Sequence, residues 1–546
     1  VSGRGGGDPP NVLLLVLDAT RADYLSPYNP DVSNTPNLGS FADGATVFRR
    51  AISPAPWTLP SVTSLLTGRY PHEHGATSRG FELREGRTIT RDLSDAGYRC
   101  VHLSPKTWIG EWLPQGRGFD RVDEFTGPRH RYFEGGEDVR RLSAGVARGP
   151  AWYAAVAKRA LASDAPLRSL ANAAAFRLSE ATGDAWLDDV RASERAAALA
   201  DERFAEFADD DRPFFLYAHL MDPHLPFYVP EEFASDIRPP GCDTLAEERE
   251  YMASLMDDIW RMRLGDRRLT GDERRYLRAR YADEVGYADF VVGRVLDSLE
   301  RHGHAADTLV IVAADHGEHL GEDADGRTLL DHQTSIRLPL LRVPLLVRYP
   351  GRFEADERDD LVGTHAVAGT VRALAGLRHD PSRSLLDGDA DGRQGGDEAV
   401  GGAAGDGAAT RNGEGGRPIA VAEYAGVVAS HPPDDVAADE LFVPRRAAIT
   451  GEWKLDEVGG TRRAARIDWG SNSAREVPPE AVPDDVLVAL DAALADAADA
   501  TGAGGATETD GTTKAERAGN AADDGTDPAG SIPADVRENL DDLGYL

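Results

Sequence analysis

A chain of 546 residues has room for one large α/β domain and a smaller companion, and its 93 acidic against 60 basic residues, a formal charge of -33, leave no basic stripe for nucleic-acid phosphates. Only four of the bases are lysines (Lys106, Lys158, Lys454, Lys514), and the acid is spread along the whole chain, a composition suited to a high-salt cytoplasm where ions screen self-repulsion. Two isolated cysteines, Cys100 and Cys242, form neither a disulfide framework nor a metal knuckle. "VSGRGGGDPP" holds no signal-peptide core and no apolar run is long enough to span a bilayer, so a soluble, cytoplasmic protein is expected.

The first element is "NVLLLVL", Asn11–Leu17, a continuous apolar run that fits a strand buried on both faces, with Asp18 just past its end. A turn-rich loop follows. "APWTLPSVTSLLTGRYPHEHG" then reads as a loop and a short helix opened by Thr58 and Pro60 and closed near Gly68. A short strand is expected at 100–103, and mostly helical, Ala- and Arg-rich chain over about 130–210. "FFLYAHLMDPHLPF" gives a second buried strand, Phe214–Leu220, ending in a loop with His219, Asp222 and His224. Residues 232–275 read as a polar, partly helical insertion. Val285, Ala288, Val292, Val295 and Leu299 step by three and four, which predicts an amphipathic helix over 283–301. "TLVIVAADHGEHLGE" supplies a strand at 309–314 with Asp315 and His316 at its carboxyl end, and "VPLLVRYPG" one more.

Strands alternating with helices predict a mostly parallel sheet. The expected organisation is a catalytic domain over 11–380, a disordered low-complexity insertion over 388–416, and a small C-terminal subdomain over 418–500. A disordered linker over 501–531 and a terminal helix over 532–546 complete it.

Ligands of an open parallel sheet bind at the carboxyl ends of its strands. Asp18 and the Asp315–His316 pair both lie there, and Thr58 heads a helix. Two carboxylates, an imidazole and a hydroxyl form an oxygen-rich set suited to one divalent Mn, Mg, Ca or Zn ion. A helix N-terminus beside that ion favours a tetrahedral oxyanion, and an activated Thr58 hydroxyl is then a nucleophile.

In this order, "NVLLLVLDATRADYLS", "TPNLGSFADGATVFRRAISPAPWTLPSVTSLLTGRYPHEHG", "FFLYAHLMDPHLPF", "RYADEVGYADFVVGRVLDSLE", "TLVIVAADHGEHLGE", "LRVPLLVRYPG" and the terminal "LDDLGYL" resemble the sulfatase family of the alkaline phosphatase superfamily. The resemblance is strong over about 11–375 and weak over 418–470. It implies an alkaline-phosphatase-like three-layer α/β sandwich with a mostly parallel central sheet and a small C-terminal α+β subdomain. Asp18, Thr58, Asp315 and His316 match the single-metal ligand set of relatives acting on phosphorus. His224 and His332 match substrate-contacting histidines of the family.

The departures are as informative. Sulfatases proper carry Cys or Ser in Cys/Ser-x-Pro-x-Arg, oxidised to formylglycine; here the matching residues are Thr58, Leu59, Pro60, Ser61 and Val62, a haloarchaeal-type member with Thr in that place. The family's Asp-Asp is Asp18-Ala19, its Asp-Asn is Asp315-His316, and Lys106 is at best a displaced substitute for its Gly-Lys-Trp-His lysine. The reading is a metal-dependent hydrolase or transferase of phosphate mono- or diesters, or of sulfate esters, with Thr58 as nucleophile and helix cap. Its substrate is an anionic ester of a glycan, a lipid head group or a small molecule. The alternatives are a sulfuric ester hydrolase working without formylglycine, and a silent member that binds an anionic glycan or lipid. His72 and His74 either touch substrate or order their loop. His219, Asp222 and His224 are weighed as a second metal site, and Glu318 and His319 as outer supports of the first. The oligomeric state is not read from the sequence.

Overall fold

The computed structural model describes residues 9–78, 83–84, 86–104, 116–125, 142, 150–163, 165–182, 192–386, 418–426 and 443–500. Lys106, the 388–416 insertion, the 501–531 linker and the terminal helix expected over 532–546 lie outside the described residues.

A nine-stranded mixed sheet forms the centre. Its strands are β1 (Asn11–Leu17), β2 (Thr46–Ile52), β3 (Arg99–Ser104), β4 (Arg121–Glu124), β5 (Phe214–Leu220) and β6 (Thr308–Ala314), with β9 (Arg342–Val343), β10 (Leu345–Arg348) and β11 (Asp356–Gly363). They run in the order β11-β2-β10-β6-β1-β5-β3-β4, with β9 paired to β2. The expected mostly parallel sheet is present, because β5, β1 and β6 pair in parallel at its centre; β10 is the antiparallel strand between β6 and β2. Every residue of β1, β5 and β6 is buried. The pleat explains this: Val12, Leu14 and Val16 enter one core with helix Thr58–Thr67 and helix Ala366–Leu374. Leu13, Leu15 and Leu17 enter the other with helix Ala192–Ala208 and helix Gly271–Arg301.

The helix expected over 283–301 begins twelve residues earlier, at Gly271. A capping box sets that start: Thr270 Oγ1 accepts from the Glu273 amide at 3.2 Å, and the Glu273 carboxylate accepts from the Thr270 amide at 2.7 Å. A hairpin of β7 (His319–Ala324) and β8 (Arg327–Asp331) follows β6. A separate antiparallel sheet is built from β12 (Ala420–Tyr424), β13 (Arg445–Thr450), β14 (Trp453–Val458), β15 (Thr461–Asp468) and β16 (Ser473–Val477), with helix Asp484–Ala500 packed on it. It docks next to the loop that precedes Thr58, since the Glu423 amide bonds the Pro54 carbonyl at 2.8 Å and Tyr424 Oη donates to the Gln333 carbonyl.

Candidate active site

The carboxyl ends of β1, β5 and β6 lie side by side. Val16 is opposite His219, and Leu17 is opposite both Leu220 and Ala314. Register alone therefore brings Asp18, His219 and Asp315 to one place, and a ligand atom from each lies within 4.8 Å of the others. The turn after β1 supports them. Ala19 takes a left-handed φ of 54°, which costs a non-glycine residue strain, and its amide donates to Asp315 Oδ1 at 3.2 Å. Tyr281 Oη holds this turn by donating to the Ala19 carbonyl at 2.7 Å.

Thr58 is the first residue of a ten-residue helix that is buried throughout. The N-cap is Trp57, so Thr58 is not the cap that its position in the sequence suggests. Its hydroxyl instead faces His316, with Oγ1 3.2 Å from Nε2. The other hydroxyls of the helix are occupied locally. Ser61, Thr63 and Thr67 donate to carbonyls one turn back, and Ser64 meets His74 Nε2 at 3.0 Å. Thr58 alone among these hydroxyls meets His316. Gly68, at φ 79°, ends the helix as its αL cap.

His316 Nδ1 donates to the Gly317 carbonyl at 2.8 Å, which leaves the Nε2 lone pair facing Thr58. Nε2 lies 3.5 Å from Asp18 Oδ1 and 3.4 Å from Asp315 Oδ2. Burial pushes this imidazole down to about 4, so it is a neutral base. Gly317 is required for the approach: a Cβ there would sit 2.0 Å from the Pro339 carbonyl oxygen.

Asp18 Oδ1 and Asp315 Oδ2 are buried atoms without a hydrogen-bond partner. Burial and the Asp18 carboxylate push Asp315 up to about 6. Burial works against Asp18 as well, but the charges of His224 and His219 outweigh it and hold that carboxyl well below its usual range. Two orphaned carboxylate oxygens facing a free imidazole lone pair and a hydroxyl fit a divalent cation. Asp18, Thr58, Asp315 and His316 thus meet as expected, and His219 joins them. Its Nε2 is 2.9 Å from Asp18 Oδ2 and its Nδ1 2.9 Å from Tyr217 Oη.

His219, Asp222 and His224, weighed as a second metal site, do not come together. Asp222 turns to Ser193 and Glu284, His219 belongs to the first cluster, and His224 lies against His332 with ring centroids 4.9 Å apart. His332 also lies on His316, centroids 4.4 Å apart, and its Nδ1 is 3.2 Å from both oxygens of buried Glu318. Burial raises Glu318 and lowers His332 to about 3, so one proton serves the pair. His224 Nδ1 bonds the Leu225 carbonyl. His72 and His74 order their loop: His72 holds Glu423 of β12 and His74 holds Ser64. His319 bonds Ser335 at 2.7 Å and faces a separate cavity of about 550 Å³ against the second sheet, lined also by Arg21, Glu322, Lys454 and Asp456. None of Asp18, Thr58, His224, Asp315, His316 and His332 lines that cavity.

The signal for His219 was present in the sequence: it lies one residue before the end of an apolar strand adjacent to β1. Glu318 was legible only as a carboxylate near the site.

Comparison with known proteins agrees with this architecture. The Sulfatase family model matches residues 10–377. The chain is 26% identical over 384 residues to the multifunctional alkaline phosphatase superfamily protein PehA of Trinickia caryophylli, covering 61% of this chain and 67% of that protein. It is 24% identical over 378 residues to a sulfatase of Formosa agariphila, covering 68% and 70%. Among solved structures, the phosphonate monoester hydrolase SpPMH from Silicibacter pomeroyi matches with a TM-score of 0.55 at 20% identity, over 90% of this chain and 95% of that one. With its family model spanning the central sheet and all the converging residues, the chain belongs to the sulfatase family and is an ester hydrolase of the alkaline phosphatase superfamily.

Proposed function

We propose that this protein is a metal-dependent hydrolase or transferase of phosphate esters, with Thr58 as the nucleophile. The observation that carries the reading is the Thr58 hydroxyl, buried at a helix start, 3.2 Å from the neutral Nε2 of His316 and beside two orphaned carboxylate oxygens. Asp18, Thr58, Asp315 and His316 would hold the ion, with His219 as a fifth donor. A Mn, Mg, Ca or Zn ion bound there would supply Lewis-acid charge that lowers the hydroxyl pKa and offsets charge on the transferring group.

Thr58 Oγ, its hydroxyl proton lost to water, attacks phosphorus in line. The Oγ–P bond forms as the P–O bond to the leaving alcohol breaks. His332, held neutral, orients a non-bridging oxygen, and His224, the more accessible of the two, donates a proton to the departing alcohol. Water or an acceptor alcohol then attacks phosphorus and gives its proton to His224, and Thr58 Oγ leaves, taking a proton back from water. A threonine sulfate ester lacks the exit open to a formylglycine hydrate, which expels sulfate by breaking its own C–O bond. A threonine phosphate can be attacked again at phosphorus, so Thr58 favours phosphate esters.

The test is the mass of the peptide containing residue 58 after turnover of radiolabelled phosphate and sulfate esters. Phosphoryl label on Thr58 supports the reading. Label on another residue removes Thr58 from its role. Sulfuryl label on Thr58 alone supports a second reading, a sulfuric ester hydrolase working without formylglycine, which the sulfatase of Formosa agariphila favours by its name. No bound metal and no turnover would leave a silent family member that binds an anionic glycan or lipid.

A further inference from the structure

One element of the chain inverts its charge. Over residues 150–182 there are four bases (Lys158, Arg159, Arg168, Arg177) and two acids (Asp164, Glu180), in a protein where acids outnumber bases 93 to 60. The described part is a helical hairpin, helix Pro150–Leu161 and helix Pro166–Thr182. Its own small core of Trp152, Val156 and Ala160, with Leu142, Leu170 and Ala173 against it, shares no residue with the two cores of the central sheet.

Large apolar side chains are also left in water here. Leu161 and Leu167 flank the hairpin turn at 62% and 82% exposure, and Tyr153 is half exposed two turns earlier. Lys158, Arg159 and Arg168 are exposed close to them. Leu161 lies at i+3 from Lys158, so an apolar and a basic side chain are neighbours on the helix surface. A structure that gains stability by burying leucine does not leave two beside one hairpin turn without a use.

We propose that this hairpin is a docking element for an anionic phospholipid surface, with Leu161 and Leu167 entering the interface and the flanking bases resting on lipid phosphates. Charge complementarity names the partner class. The remainder of the chain is strongly acidic and is repelled by an anionic bilayer, so only the hairpin approaches it, and the protein is held in one orientation. The leucines distinguish lipid from nucleic acid, because a phosphodiester backbone offers them no apolar phase. A twelve-residue helix is about 18 Å long, short of the roughly 30 Å hydrocarbon core, and no described helix is long and apolar enough to cross a membrane; the hairpin therefore lies on the surface. This inference is independent of the chemistry at Thr58.

The experiment is flotation of the full chain with vesicles of phosphatidylglycerol and phosphatidylcholine, beside vesicles of phosphatidylcholine alone and beside single-stranded polynucleotide. Wild type should float with the anionic vesicles and not with the zwitterionic ones. L161D/L167D and K158E/R168E should each lower the floated fraction about tenfold or more while keeping the wild-type melting temperature and turnover of a soluble nitrophenyl ester. Added salt should weaken the contribution of Lys158 and Arg168 and leave that of the leucines. The proposal is overturned if wild type floats with neither vesicle, if both variants float like wild type, or if the hairpin binds polynucleotide instead of lipid.

Discussion

Replacing Thr58 by alanine separates the nucleophile from the scaffold around it. The side chain is 1% exposed, so the substitution removes one buried methyl and one hydroxyl whose only described partner is His316 Nε2. Losing the methyl costs about 1 kcal/mol and losing the hydroxyl's hydrogen bond about another 1 kcal/mol. That total of about 2 kcal/mol is within the roughly 5–15 kcal/mol margin of a folded domain. The variant should therefore fold, with a melting temperature lowered by only a few degrees, about what such a loss costs a domain of this size. Activity should fall much further, because no other hydroxyl of the helix meets His316: kcat on bis-nitrophenyl phosphate should drop on the order of a thousandfold or more, with bound metal largely retained. Thr58→Ser keeps the attacking oxygen and should stay within about tenfold of wild type. Steady-state kinetics beside metal analysis of the same preparations make the measurement. A Thr58→Ala enzyme that turns over within threefold of wild type would refute the nucleophile assignment.

Three further outcomes follow from the same geometry. His219→Ala should lower metal affinity roughly 10- to 100-fold, whether His219 binds the ion or orients Asp18, and equilibrium dialysis against a divalent ion would read it; unchanged affinity would exclude His219 from the cluster. Gly317→Ala should impair folding and activity together, since its Cβ meets the Pro339 carbonyl oxygen at 2.0 Å and the displaced backbone carries the His316 acceptor; a variant with normal kcat and melting temperature would contradict this. His102 is buried with neither ring nitrogen hydrogen-bonded, stacked on Phe119 and Tyr217, and burial lowers it to about 3. Its folded pKa lies below the unfolded value, so the unfolded chain binds the extra proton and stability falls as pH drops from about 6.5 toward 3. His102→Phe should add about 1 kcal/mol near neutrality and flatten that acid limb, read from urea midpoints across pH; an unchanged slope would show that His102 does not contribute to it.

Much of this protein was legible because its centre is buried on both faces. β1, β5 and β6 are continuous apolar runs, and such runs identify central strands without any knowledge of their partners. Asp18, Asp315 and His316 stand out as polar residues directly after those runs. The same logic explains what was not foreseen. β11 reads "DERDDLVG" and lies at the sheet edge, where one side needs no partner and polar side chains reach water. β2 carries Arg49 and Arg50 in mid-strand, and its place beside β11 and β10 is set by contacts far away in sequence. The amphipathic step marked the long helix but not its start, which the side-chain cap Thr270, thirteen residues upstream, decided.

By itself, the sequence determined the central strands, the family and the residues that stand at the strand ends, because local apolar pattern and the order of motifs carry that information. Only the tertiary structure decided how those residues share the work. Parallel register placed His219 beside Asp18 and removed it from a second metal site. Helix phase made Trp57 the cap and turned the Thr58 hydroxyl toward His316. Register and phase are fixed by packing between segments hundreds of residues apart, so no local reading of the chain contains them.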